Sequence, residues 1–585
     1  MRKALILILL LASSLVFAAF EPETGVVTNE RWKSGVPLGG VGCGEFEFFT
    51  DGRMGTFAIN HNWDHATGLE KGAFFGLWTR GPKGSVARSL RLQGGPEYEG
   101  IQGVEGTRFL GLFPYATLDC QDEALPVETK IEGFAPLIAH DAKNSSLPVA
   151  TFTVSLKNVT AAPVETAVVF AMPNLLGFGG MRDTEWKDFS TNYQRPLYTT
   201  TMAGLVYDTG LDYGMERRQN TVGQYVVAVE KSPGVEYSRC LLWDADAEQC
   251  GFWQRFSTLG ELPARATERS AEVTKPAGAL SAKFILAPGE RRELRFVFVW
   301  FMPHHITVHK VLKGGGPTTE VPAPAAMDGT IATRFDTGRP MVAGDALEVR
   351  QPEEQPLALF VLDNRSSTGD WPKGYKLWAR SGGEWQLLDQ ATLEQVDARQ
   401  VKGRLALPLQ GVVADAIKLE TLGGDDFHFF SADEVELWAQ DAEGPVQLKL
   451  QPGQVVAHKV GVSETAAIED VGHYYLNFFA DATELAEYVV SRLDSLKEAT
   501  RSTWHQPILD SNLPWWLKLK LINVAYVMFS DTILTKDFRF AVQESPLDMG
   551  GALGTMDQRM AAHAMMSQLF PELDASELDL FAQCQ

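Results

Sequence analysis

The amino-acid sequence predicts a multidomain protein: an N-terminal antiparallel β-sandwich, a second β-rich module inserted after it, and an all-α C-terminal part. Three observations predict it. From about Phe20 to Pro303, short alternating segments are broken by Gly, Pro, Asn and Asp, as in "ATFTVSLKNVT" and "RRELRFVFVWFMP". In the second of these, Leu294, Phe296, Phe298 and Trp300 fall on one face. Next, "KGGGPTTEVPAPAAMDG" has no period and reads as a linker ending near Ala325, after which strand patterns resume from Met327 to about Trp438. From Asp481 onward the period becomes helical, with no strands expected between the helices. The expected divisions are a sandwich over 20–312, an inserted module over 326–440, a linker and helix over 441–503, and a helical domain over 504–585.

Each helix carries its own start signal. Asp481 with Glu484 forms a capping box ahead of "LAEYVVSRLDSLKEA", and Asn512 with Pro514 opens "PWWLKLKLINVAYVMFS". Thr555 with Gln558 is placed to cap "MDQRMAAHAMMSQLF", and Asp574 with Glu577 to cap the last segment.

Composition narrows the partners. With 585 residues, 45% of them hydrophobic and 22% charged, the chain has material for several cores. A net charge of −22 with no Lys/Arg cluster repels polyanions, which argues against nucleic acid and anionic membrane surfaces as partners. The opening "MRKALILILLLASSLVFAAFEPE" joins two cations, a short apolar run and a small-residue exit, the pattern of a secretory signal cleaved after Ala18. This predicts an exported, periplasmic or extracellular protein; an uncleaved anchor helix is the alternative. No other stretch is long and apolar enough to span a bilayer. Of five cysteines, only Cys240 and Cys250 are spaced to pair across a turn, so a disulfide framework is not expected.

Three clusters invite a functional reading. "GVPLGGVGCGEFEFF" (35–49) is glycine-rich, but its glycines open onto the alternation Glu45, Phe46, Glu47, Phe48, a strand, where a phosphate loop requires a helix. "NHNWDHATG" brings His61, Asp64 and His65 close in sequence, as metal ligands or as hydrogen-bonded loop residues. "QESPLDMGGALGTMDQR" (543–559) sets Glu544 in a loop between helical segments, Asp548 beside a glycine-rich turn and Asp557 in the first turn of a helix. A carboxylate there is held ionised by the helix N-terminus and can accept hydrogen bonds from sugar hydroxyls; it can equally do no more than complement the helix dipole.

The ordered motifs "GVPLGGVGCGEFEF", "AMPNLLG", "GFWQRFSTLGEL", "LAPGERRELRFVFVWFMP" and "LPWWLKLKLINVAYVMFSD" resemble glycoside hydrolase family 116, which includes the bile-acid β-glucosidase or non-lysosomal glucosylceramidase. The resemblance covers about 30–303 and 470–585. It implies an N-terminal β-sandwich with an (α/α)6 barrel and a retaining mechanism with two carboxyl groups. By position Glu544 looks like the nucleophile, with Asp548 in reserve, and Thr555 and Asp557 like the sugar-contacting pair. The loop departs from the family pattern: Ser545 and Pro546 follow Glu544, the gap to Asp557 is about two residues longer, and Gly554 replaces the usual Asn. Within the insertion, "DGTIATRFDTG", "VLDNRSSTGDWPKGYKLWARSGGEWQLL" and "FHFFSADEVELWAQ" resemble the discoidin or coagulation-factor type C jelly-roll shared with family 32 carbohydrate-binding modules. That resemblance makes Trp371 and Tyr375 core residues, and leaves glycan or calcium binding unlocated.

The expected function is therefore a retaining β-glycosidase acting on a β-glycoside or polysaccharide, with two carboxyl groups about 5 Å apart and no metal or organic cofactor. The rival is a non-catalytic, exported glycan-binding protein. The resemblance places the general acid beyond Gln585, so the chain is expected to be an incomplete barrel, inactive alone, with Met560, Met565, Met566 and Leu569 left without packing partners.

Overall fold

A computed structural model of the chain describes residues 26–95, 97–180, 185–264, 273–367, 369–424, 428–544, 552–553 and 565–583. The signal-like residues 1–18 lie outside these, as do Asp548, Thr555 and Asp557. The chain divides into two compact units, Met1–Thr307 with Glu469–Gln585, and Val308–Ile468.

In the first unit two sheets face each other. One has nine strands in the order Val26–Thr28, Gly106–Leu112, Tyr115–Gln121, Val127–Phe134, Val149–Asn158, Arg291–Phe301, Gln224–Glu230, Met202–Asp208, Tyr193–Tyr198. The other has six, in the order Glu236–Asp244, Pro276–Leu286, Val164–Pro173, Phe74–Gly81, Gly84–Leu92, Gly103–Val104. Pairing is antiparallel except for the last pair. The core between the sheets is aromatic: Phe75 stacks on Phe170 at 4.2 Å, and Phe152 and Phe296 meet Phe75 edge-on. As the alternation predicts, Leu294, Phe296, Phe298 and Trp300 enter this core.

The opposite face of the same strand is buried too. Val297, Val299 and Phe301 pack with Leu485, Val489 and Leu493 of the helix Ala482–Thr500, which covers the outside of the nine-stranded sheet. Each such fully buried side chain contributes roughly 1.5–3 kcal/mol. Asp481 caps that helix, its carboxylate accepting from Thr483 N and Glu484 N, while Glu484 reaches back to Ala480 N. A shorter helix, Trp253–Leu259, covers the six-stranded sheet with Trp253 and Phe256 against Phe74 and Trp78.

The C-terminal part departs from the expected run of helices. The helix Trp515–Asn523 starts at Pro514 with no side-chain cap, so Asn512 does not cap it. Three strands, Thr532–Leu534, Phe540–Glu544 and Ala552–Leu553, intervene before the helix Pro571–Gln583. That helix begins ahead of Asp574, which lies in its first turn and is buried, so Asp574 and Glu577 do not form its cap. Met566 is buried with Phe570 and Leu573, and Met565 and Leu569 pack against the same core. The expectation that these side chains lack partners is thus corrected for all but Met560, which lies outside the described residues.

The second unit is built of a nine-stranded and a two-stranded sheet, with its own core of Leu347, Phe360, Leu377, Ile417, Leu419 and Leu437. Trp371 and Tyr375 are core residues, and the Tyr375 hydroxyl donates to Asp389 at 2.8 Å. The expected linker is instead strand: Ile306–Pro322 and Val455–Asp470 are neighbours in the main sheet, and Val455–Asp470 pairs with Ala346–Asp363. Glycine signals a linker by sequence, but here it permits close backbone approach. A Cβ on Gly316 would lie 2.9 Å from the Gly461 carbonyl oxygen, and one on Gly461 would lie 3.0 Å from that of Pro317. The module accordingly spans 308–468, beyond the expected 326–440 at both ends.

Cys240 and Cys250 are not joined by a disulfide.

Candidate functional site

Within the first unit, the glycine-rich hairpin, the short helix and strands that follow Asn523, and the segments around His305 and His473 converge. The strands Val36–Gly40 and Gly44–Phe48 pair so that Gly40 faces Gly44 across the turn. The turn's amides are all engaged: Val41 N donates to Ser145 O, Gly42 N to Thr532 Oγ1 at 2.9 Å and Cys43 N to Gly40 O. That leaves no cradle for an anion, in line with the strand reading of this motif. Gly42 has φ +71°, and a Cβ there would lie 2.3 Å from Leu534 N, so the hairpin tip sits directly on the strand Thr532–Leu534.

The alternation after Gly44 turns Glu45 and Glu47 to the face away from the aromatic core. Burial pushes the Glu45 carboxyl well up, with Glu47 and Asp531 adding to it, and its Oε2 has no hydrogen-bond partner among the described residues. Glu47 is also raised by burial, opposed by hydrogen bonds from Thr56 Oγ1 and Gly35 N. Burial raises Asp531 too, against a hydrogen bond from Ser530. Glu45 and Glu47 line a 470 Å³ cavity together with Trp32, Asn523, Tyr526 and Ser530. Protonatable carboxyls beside aromatic rings suit a polyhydroxylated ligand. A larger, 640 Å³ hollow lies on the outer face of the nine-stranded sheet, but Arg295–Asp494, Lys497–Glu132 and Lys157–Glu128 neutralise its charges in pairs. It is a salt-bridged surface, and the site lies elsewhere.

Glu544 ends the strand Phe540–Glu544, where its backbone pairs with Ala552. It is thus held by a sheet, where the sequence suggested a loop between helices. Gln543, one residue before it, donates its N–H to Asp531 O at 2.7 Å. Asp548, Thr555 and Asp557 fall outside the described residues.

His61 and His65 are not brought together as ligands. His65 ends the short 3-10 helix Trp63–His65, whereas His61, at φ +55°, meets His305 and His473. Sequence spacing could not have found this cluster, because its three members are hundreds of residues apart. Burial drives all three rings to the neutral form, and their proximity to one another reinforces it for His61 and His473; His305 is lowered to about 4 and His473 to about 3. Asp470 fixes the two neighbouring backbones, accepting from His304 Nδ1 at 2.6 Å, His305 N at 2.9 Å and Gly472 N at 3.1 Å.

Comparison with known proteins finds a likeness in the N-terminal part of the chain. Residues 35–312 match the family model described as beta-glucosidase 2, glycosyl-hydrolase family 116 N-term. Residues 35–312 are thus similar to the N-terminal domain of family 116. The match contains the hairpin, Glu45, Glu47, His61 and His305, and stops short of the segment that ends at Glu544. Among solved structures, the family 32 carbohydrate-binding module of C. perfringens NanJ, in complex with galactose, is 20% identical, with 23% of this chain covering 92% of that one at a TM-score of 0.18. A putative kojibiose phosphorylase from human microbiome is 10% identical, with 48% of this chain covering 33% of that one at 0.22. The two family 32 domains of Clostridium perfringens ZmpB are 9% identical, with 52% of this chain covering 90% of that one at 0.17. At these scores they bear on neither the ligand nor the chemistry of this chain. No helix among the described residues is long and apolar enough to cross a membrane.

Proposed function

We propose that the protein is a glycoside hydrolase of family 116, a retaining β-glycosidase whose nucleophile is Glu544 and whose substrate is a β-glycoside or polysaccharide. The observation that carries this reading is the likeness of 35–312 to the N-terminal domain of family 116, with its glycine hairpin seated against the strands that lead to Glu544. In a two-carboxylate mechanism Glu544 attacks the anomeric carbon, and a second carboxyl group about 5 Å away protonates the leaving oxygen and then activates water. Thr555 and Asp557 hold the sugar hydroxyls. A strand terminus suits the nucleophile's role, because a carboxylate on a regular element is held more closely in register than one on a free loop. In this reading the helical part belongs to an (α/α)6 barrel. The secretory pattern at 1–18 supports an activity exercised outside the cytoplasm.

The test is turnover of aryl β-glucosides and β-xylosides by the protein, compared with Glu544→Gln. Loss of at least 1,000-fold in turnover, with a glycosyl adduct on Glu544 when a slow 2-fluoro glycoside is supplied, is the expected result. Unchanged turnover in the variant, or an adduct on Asp548, would overturn the assignment of the nucleophile.

A further inference from the structure

We propose that His61, His305 and His473 form a zinc site in the first unit, with a water molecule as fourth ligand. One ring nitrogen from each lies within 4.8 Å of the other two. His61 Nε2 and His473 Nε2 are 2.8 Å apart. The second nitrogen of His473 is already committed, since Nδ1 faces the Gly42 carbonyl at 3.1 Å, and the His61 ring also bonds to the backbone of His304. A metal-bound histidine characteristically donates its remaining N–H to a backbone carbonyl, which fixes the tautomer and aims the lone pair at the ion. Both rings are set in that way.

The third ring supplies an independent indication. His305 is 4% exposed, and its Nδ1 is buried with no hydrogen-bond partner among the described residues. With the one N–H of each neutral ring given to a backbone carbonyl, the facing Nε2 atoms of His61 and His473 present lone pairs to each other, and the third ring is left unsatisfied. A cation among them satisfies all three. Tetrahedral zinc with bonds of about 2.0–2.1 Å needs nitrogens about 3.3 Å apart, so the close pair opens slightly and the widest pair draws in by at most about 1.5 Å. Between the rings and His61, Trp63, Gly42 and Gln543 lies a 20 Å³ cavity, the size of a single water molecule. Three neutral imidazoles with no thiolate or carboxylate suit a late divalent metal, and exclude calcium and magnesium, which require oxygen ligands. The ion would tie together segments at 61, 305 and 473 and stand beside Gln543, next to the strand end that carries Glu544.

The experiment uses the 585-residue protein stripped with a chelator and titrated with zinc sulfate, then with cobalt chloride. The expected results are uptake of one equivalent of zinc, a rise in melting temperature on zinc addition, and tetrahedral ligand-field absorption from cobalt. In His305→Gln and His473→Gln affinity should fall by more than about 100-fold, and in His65→Gln it should not change. If the unmodified, folded protein takes up no zinc at micromolar concentration, the site is refuted without reference to any variant. It is equally refuted if His305→Gln, folded by circular dichroism, binds one equivalent as tightly as the parent.

Discussion

The backbone N–H of Val542 donates to the Glu577 carboxylate at 2.9 Å, and two residues earlier the N–H of Phe540 donates to Ser576 Oγ at 3.1 Å. The last helix thus supplies side-chain acceptors to a strand that, among the described residues, has no neighbouring strand on that side at these positions, and this strand runs on to Glu544. Glu577 is buried, so its removal leaves a buried amide without its acceptor. Glu577→Ala should destabilise the first unit by about 1–3 kcal/mol. It should also speed amide exchange at Phe540 and Val542 beyond the rest of the unit, as read by hydrogen-exchange mass spectrometry. Uniform exchange across the unit would mean that the helix does not hold this strand.

The hairpin tip makes a sharper prediction. Gly42→Ala places a Cβ 2.3 Å from a backbone nitrogen at a positive φ, and the neighbour is the strand Thr532–Leu534, which cannot rotate away as a side chain could. A loss of more than about 2 kcal/mol in chemical unfolding is expected, with inorganic phosphate having no stabilising effect on either protein. Stabilisation by phosphate that is lost in the variant would restore the anion-loop reading.

The bounds of the second unit are also testable. Val455 and Ala457 lie in its core, and Ala346–Asp363 pairs with Val455–Asp470, so a piece cut at 326–440 lacks part of its own sheet. Residues 308–468 should give a dispersed amide NMR spectrum when expressed alone, and residues 326–440 a collapsed or aggregated one. Equal dispersion from both would show the flanking strands to be dispensable.

Acid sensitivity should be read at His505. Its Nε2–H donates to the Phe113 carbonyl at 2.8 Å, and burial lowers its pKa to about 4, the carbonyl opposing and Arg501 adding to the shift. The unfolded value is near 6.5. A depressed folded value means that the contribution is fully present above pH 6.5 and is lost as pH falls from 6.5 towards 4, because the unfolded chain takes up the proton first. The total is about 3 kcal/mol. His505→Gln should flatten the stability curve over that window, as measured by urea unfolding at each pH. The same slope in both proteins would assign the acid limb to other groups.

Much of this architecture is legible in the sequence wherever local pattern and tertiary environment agree. The alternation through Leu294, Phe296, Phe298 and Trp300 gives the sandwich strand because those residues do face its core. The same pattern hides the fact that Val297 and Val299 are buried beneath a helix, since period two says nothing about what covers the second face. Glycine misleads at 314–316, where it marks close strand packing and not a flexible connection. The sequence supplies Glu544 as a candidate through its resemblance to a family, whereas Glu45 and Asp531 become conspicuous only through burial. His305 and His473 carry no spacing signal, because the fold alone brings them to His61.

Glu45 gives the last prediction, and its sign is opposite to that of His505. The carboxyl is buried and raised well above its ordinary value, by burial first and then by Glu47 and Asp531. A raised folded value means that the unfolded chain loses its proton first as pH rises. Stability is therefore fully present below the ordinary carboxylate range, near pH 4, and is lost as pH climbs towards the raised value. Glu45→Gln keeps the shape, removes the titration and relieves the repulsion on Glu47 and Asp531. The variant should match the parent near pH 4 and exceed it in stability at pH 7 by at least about 1 kcal/mol. If Glu45 serves the sugar chemistry of this site, the same variant will lose substrate turnover while gaining stability, the trade expected of a strained functional carboxyl. A variant no more stable at pH 7 than the parent would show that Glu45 is solvated or paired at neutral pH, and would remove it from the site.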